Sequence, residues 1–172
     1  YNFEHVDILT WKSLQNLEKL SLSGSKKHKL DLAPLAGFHH LTSLFSDAEA
    51  RNIEVITTLK RLTSLDLVGF GNKHAIDFIS GIEALEHLLL LRGGRSSIAH
   101  IQAPNLKSLE VIQVKGLADL GNLGRFPKLK KLTIENQIQL KDICFGDNRQ
   151  LKSMNIMNCK TLSRLHHFGN LD

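Results

Sequence analysis

Residues 62–67 read Leu62-Thr63-Ser64-Leu65-Asp66-Leu67, an L-x-x-L-x-L pattern. With aliphatic or small substitutes it recurs at Leu17-Leu20-Leu22, Leu41-Leu44-Ser46, Leu85-Leu88-Leu90, Leu106-Leu109-Val111, Leu129-Leu132-Ile134 and Leu151-Met154-Ile156. The first anchors fall at 17, 41, 62, 85, 106, 129 and 151, so the gaps are 24, 21, 23, 21, 23 and 22 residues. A phase held through seven copies, at roughly 22 residues per copy, is the signature of a repeat architecture. Each unit exposes an apolar face that it cannot cover alone, and stacking the units joins those faces into one core.

A second rhythm runs between the triplets. Ile8, Trp11, Leu14, Leu17 and Leu20 are spaced by threes, as are Leu32, Leu35, Phe38, Leu41 and Leu44. The spacing returns at Ile53-Ile56-Leu59-Leu62-Leu65, at Ile76-Ile79-Ile82-Leu85-Leu88 and at Leu117-Leu120-Leu123-Phe126-Leu129-Leu132. In a 3₁₀ turn the side chains at i and i+3 eclipse, whereas an α-helix needs mixed spacings of three and four. The triplets are therefore expected to be strands, with short 3₁₀ turns on the opposite side of each coil. Pro104 and Pro127 stand just before strands, where a missing backbone donor does least harm.

On these residues the chain resembles the leucine-rich repeat proteins, and within them the internalin-like class of about 22 residues per repeat. The resemblance implies an α/β leucine-rich repeat solenoid, curved, with a parallel β-sheet on the concave face and 3₁₀ turns and loops on the convex face. It implies a scaffold for binding other proteins. The family pattern places an Asn three residues after the last strand Leu; here those positions are Ser25, Glu49, Phe70, Gly93, Val114, Gln137 and Cys159. Less uniform turns than the family norm are expected, with Cys159 as a buried small side chain. The polar stretches Ser46 to Asn52 and Gly69 to His74 read as bulging loops.

Composition agrees with a soluble globular chain: 172 residues, 42% hydrophobic and 23% charged, with aromatics at only 6%, so the core must be aliphatic. Residues 1–172 read as a single leucine-rich repeat domain of about seven repeats. Leu162-Leu165-Phe168-Leu171 continues the threefold rhythm and Tyr1-Phe3 resembles the tail of an earlier strand, so the domain is expected to be part of a longer chain. Uncovered terminal coils would otherwise invite end-to-end self-association.

The charge balance, 22 Lys and Arg against 17 Asp and Glu, gives +5. The basic residues are scattered and not interleaved with aromatics, which disfavours a nucleic-acid partner. Lys26-Lys27-His28-Lys29 and the group Arg125, Lys128, Lys130 and Lys131 are local clusters, the latter read as a solvated polar edge. Cys144 and Cys159 make no disulfide framework and favour a reducing, cytoplasmic setting. The longest apolar run, Leu88 to Leu91, is too short for a membrane span.

In L-x-x-L-x-L the leucines face the core and the residues between them face outward. The outward residues form three columns. The first runs Lys19, Ser43, Ser64, His87, Ser108, Lys131 and Ser153; the second Ser21, Phe45, Asp66, Leu89, Glu110, Thr133 and Asn155; the third Ser23, Asp47, Val68, Leu91, Ile112, Glu135 and Met157. An apolar stripe of Val68, Leu91 and Ile112, with Leu89, Phe45 and Met157 nearby, is rimmed by Asp47, Asp66, Glu110, Glu135, Lys131 and His87. These twelve residues are the candidate site for a protein partner, since contiguous exposed apolar area marks interaction surfaces.

No catalytic residue, metal site or cofactor is expected. Ser, His and Asp are plentiful, but no G-x-S-x-G signature fixes a nucleophile, and Gly69-Phe70-Gly71 and Gly121-Asn122-Leu123-Gly124 lack the residues of a phosphate loop. The pairs His39-His40 and His166-His167 point to opposite sides of an extended chain, and Cys144 and Cys159 fall in different columns. The expected function is thus non-enzymatic recognition of a protein. The alternatives are the recognition segment of a bacterial effector or immunity-type protein, or a self-associating structural module.

Overall fold

A computed structural model describes residues 8–24, 29–47 and 50–167. Its strands are β1 (Lys19–Leu22), β2 (Leu30–Asp31), β3 (Ser43–Asp47), β4 (Ala50–Arg51), β5 (Ser64–Val68), β6 (His87–Leu91), β7 (Ser108–Ile112), β8 (Lys131–Glu135), β9 (Asp142–Cys144), β10 (Ser153–Met157) and β11 (Arg164–His166). Seven of them, one per repeat, form a parallel sheet in the order β1-β3-β5-β6-β7-β8-β10. The two shorter pairs, β2 with β4 and β9 with β11, are also parallel.

The register of the main sheet never slips. Leu20, Leu44, Leu65, Leu88, Leu109, Leu132 and Met154 stand in one row across the strands, although the coils between them differ in length. Burial alternates along β3, β5 and β6 as the pleat requires, and Leu44, Leu65, Leu88, Leu109 and Leu132 are buried. Each such leucine contributes on the order of 2 kcal/mol of apolar burial. Ser46 occupies a leucine position in β3 and is buried, its hydroxyl donating to its own strand at Asp47 O.

The backs of five coils are 3₁₀ turns, at Ile8–Thr10 with Lys12–Leu14, Ala33–Gly37, Ile53–Thr58, Asp77–Gly81 and Leu123–Arg125, while the segments leading to β7 and β10 have none. All helical segments among the described residues are of this type. The period of three is carried by the backbone itself: the N–H of Leu35 donates to Leu32 O, Phe38 to Leu35 O and Leu41 to Phe38 O. Ile79, Ile82 and Leu85 repeat the chain of i to i+3 bonds in the next but one coil. Those same side chains are buried, so one spacing serves both hydrogen bonding and packing.

The turns leaving the sheet are more regular than the sequence predicts. Two residues past the last inward strand position the chain is left-handed in five successive coils, at Gly69, Arg92, Gln113, Asn136 and Asn158. The reason is a backbone ladder: Gly69 N–H donates to Leu91 O, Arg92 to Ile112 O, Gln113 to Glu135 O and Asn136 to Met157 O, at 2.8 to 3.0 Å. Satisfying every one of these donors fixes the same turn whatever side chain stands there.

The Asn-ladder position next to it is where the coils differ. Phe70 and Val114 are buried there. Gln137, fully buried, plays the part of the asparagine: its amide nitrogen donates to Val111 O and Glu135 O. Cys159 is half-buried rather than buried, its thiol within reach of two acceptors, Ile134 O and Met157 O. Ser25 and Glu49 lie outside the described residues.

One predicted loop is not a loop. In the stretch from Ser46 to Asn52, Ser46 and Asp47 complete β3, and Ala50 and Arg51 form β4 against β2, with positions 48 and 49 outside the described residues. Asp31 organises that small sheet, accepting from Ala33 N–H and Asn52 Nδ2 and facing Arg51. Those bonds, the Ala33 N–H first, hold its carboxyl below the usual range. Gly69 to His74 is irregular as expected, but Phe70 turns into the core. Tyr1, Phe3, Phe168 and Leu171 lie outside the described residues.

Candidate functional site

The strand pairing places all twelve candidate residues on one face of the main sheet. Phe45, Asp66, Leu89 and Glu110 are consecutive in the second column, and Asp47, Val68, Leu91, Ile112, Glu135 and Met157 in the third. His87 and Lys131 stand in the first column with Ser108 between them. Val68, Leu91 and Ile112 are therefore direct neighbours, and each keeps part of its surface open to solvent. Leu89 and Phe45 are likewise half-buried, and Met157 is 46% exposed.

The rim is less free than the sequence suggests. Asp47 closes the end of the first coil, accepting from the Ser23 hydroxyl and from Gly24 N–H. Glu110 pairs with Lys131 at 2.8 Å, and Glu135 accepts from Asn155 Nδ2. Two further face residues, Ser108 and Thr133, are buried, a departure from strict alternation that the triplet pattern gives no means of reading.

Ser64, Asp66, His87, Leu89, Ser108 and Glu110 line a shallow depression of about 280 Å³ in the middle of the face. It exists because serines on either side of His87 leave space in the first column where bulkier residues would fill it. Asp66 lies in it half-buried. Burial, with Glu110 nearby adding repulsion, raises the Asp66 carboxyl above its usual range, and His87 pulls weakly the other way.

Of the basic group around the start of β8, Lys128, Lys130 and Lys131 are exposed, as expected of a solvated edge, and Arg125 is not. Arg125 is turned inward: Nε donates to Ile101 O, Nη1 to Asn122 O, and Nη2 to Leu120 O and Ile98 O. Its guanidinium also lies 4.3 Å from the centre of the Phe126 ring. Burial pulls its pKa down to about 10, which leaves it charged at neutral pH. Lys128 donates to Asn105 Oδ1 and Lys131 to Glu110, so neither is poised for phosphate. Lys26, Lys27 and His28 lie outside the described residues.

His39 and His40 are exposed, with His40 Nδ1 beside Arg61 Nη1. His167 Nδ1 is 3.5 Å from Cys144 Sγ. Among the described residues no group of three or more His, Cys, Asp or Glu is gathered for a metal ion. No helix of the described residues is long and apolar enough to cross a membrane.

No family model matches the sequence, and no curated protein matches it. Among solved structures, an internalin from Listeria monocytogenes is similar over 84% of this chain and 60% of its own, at 14% identity and a TM-score of 0.38. The present chain thus spans about 60% of that protein's length. Seven aliphatic triplets in one unbroken register, an all-parallel sheet with one strand per repeat, and threefold 3₁₀ turns behind it are this chain's own geometry. With coils of about 22 residues, that geometry is the fold of a leucine-rich repeat solenoid.

Proposed function

We propose that the chain is a non-enzymatic recognition domain that binds a protein partner on the outward face of its main sheet. The observation that carries this reading is the contiguity of Val68, Leu91 and Ile112 on three adjacent strands, half-exposed on a face supported by a rigid core. A preformed surface of this kind loses little entropy on binding, so aliphatic anchors can supply affinity while the rim selects the partner. The two unpaired cysteines fit a reducing, cytoplasmic setting.

Leu91→Asp combined with Ile112→Asp tests the reading. The double variant is expected to keep its circular dichroism spectrum and lose the partners that the intact chain captures from a lysate, compared band by band. Partners that persist on the folded variant overturn the proposal, and so does wholesale unfolding, because it makes these residues core.

A further inference from the structure

The face carries a charge opposite to that of the chain. The protein as a whole is +5, yet the second and third columns hold Asp47, Asp66, Glu110 and Glu135 and contain no lysine or arginine at all. Three of those carboxylates are engaged within the chain, by Ser23 and Gly24, by Lys131 and by Asn155 respectively. Asp66 differs: its carboxylate makes no hydrogen bond or ion pair with the described residues, although its backbone is part of the sheet. It sits half-buried at the depression beside Leu89, with Glu110 on the far side of that leucine in the same column. A carboxylate partly removed from water, with a second carboxylate one strand beyond its neighbour and only the weak pull of His87 to offset them, is stabilised by a full cation brought to it.

We infer that the partner presents a lysine or arginine side chain to Asp66 and Glu110, flanked by aliphatic side chains that lie along Val68, Leu91 and Ile112. This rests on the reading that the sheet face binds a protein. The fit is chemical in both halves. A long basic side chain has an apolar stem, which matches Leu89 between the two acids, and a charged head, which matches their carboxylates. The third column, immediately adjacent, offers only apolar surface at those three strands, so residues next to the basic one in the partner meet aliphatic contacts. Phosphate-rich partners are repelled by the same carboxylates. A divalent ion would find two carboxylates and His87 spread over three strands, and no set of three ligands is gathered there. The carboxyl of Asp66, held above its usual range by burial and by Glu110, registers the same uncompensated site.

Panning a phage-displayed library of random twelve-residue peptides against the intact chain tests this. The expected result is enrichment of Lys or Arg next to Leu, Ile, Val or Met. Synthetic peptides from that pool should bind the Asp66→Asn, Glu110→Gln double variant roughly tenfold more weakly, the usual size of a lost partly buried charge pair. They should bind Lys131→Met at least as well as the intact chain, because Lys131 competes for Glu110; this arm keeps the test alive if the double variant fails to fold. Enriched peptides without basic residues, or basic peptides that bind both variants no differently from the intact chain or lose affinity for Lys131→Met, overturn the inference. If such peptides are nonetheless lost from Leu91→Asp with Ile112→Asp, the sheet face remains a recognition surface and only the basic anchor falls. If no enriched peptide depends on the face, both fall.

Discussion

Asp66 is the residue at which the sheet face and its stability oppose each other. Its folded carboxyl titrates above the unfolded value because burial, and then Glu110, disfavour the charge. For an acid raised in this way the folded state binds the proton more tightly, so the penalty is full at neutral pH and relieved as pH falls through the folded pKa toward 3.8. Asp66→Asn is therefore expected to stabilise the fold at pH 7, by no more than the roughly 0.5 kcal/mol usual for a solvent-screened surface substitution, and the gain over the parent should shrink in acid. Urea titrations of both proteins at pH 7 and pH 4.5 check this; a gain that grows in acid contradicts it. The position of Asp66 on the outward face is legible in the triplet Leu62-Leu65-Leu67. Its lack of a partner is not, since that depends on serines one strand away on each side of His87. The same holds for Gln137: the pattern places it at the ladder position, but only the fold shows its amide reaching Val111 O and Glu135 O, with the amide oxygen left without a partner.

At the level of the element, the 3₁₀ backs are written plainly in the sequence, because each third residue is both buried and the acceptor for the next. The exception is the back of the coil before β8. There Arg125 collects the carbonyls of Ile98, Ile101, Leu120 and Asn122 and so ties Leu123–Arg125 to the preceding coil. In sequence it sits among Lys128, Lys130 and Lys131 and looks like one more surface charge; composition cannot distinguish a basic residue that faces water from one that faces carbonyl oxygens. Replacing it leaves several partly buried acceptors unmatched. Arg125→Met is expected to cost about 3 kcal/mol, and Arg125→Lys to recover only part of this, because an ammonium cannot reach acceptors spread around a planar fork. Chemical denaturation of the two variants measures it; a cost below that of an ordinary surface substitution contradicts the role.

Across the whole molecule each coil packs chiefly on its neighbours, so stability should vary along the stack rather than being shared evenly. β6 and β7 have a strand on either side and buried leucines beneath. In β10 only Ile156 is even half-buried, and Met154 and Met157 stand open. Amide hydrogen exchange is expected to be slowest in β6 and β7 and faster by at least tenfold in β10 and β11; uniform protection from end to end contradicts a stack held by nearest neighbours. The architecture was legible because it repeats: seven weak patterns in phase amount to one strong one. What was not legible is whatever occurs once, such as the β2–β4 pair, the closure of the first coil by Asp47, or the inward turn of Arg125. The register tolerates these singular features because strand starts are spaced unevenly, by 21 to 24 residues, while rows across the sheet stay aligned. Ile53 to Leu65, Ile76 to Leu88 and Leu120 to Leu132 are equal runs, so differences in coil length fall between the end of one strand and the buried row behind the next. Segments can consequently be grafted or trimmed behind the sheet without rewriting the surface in front, which makes spacing and specificity separately adjustable in this scaffold.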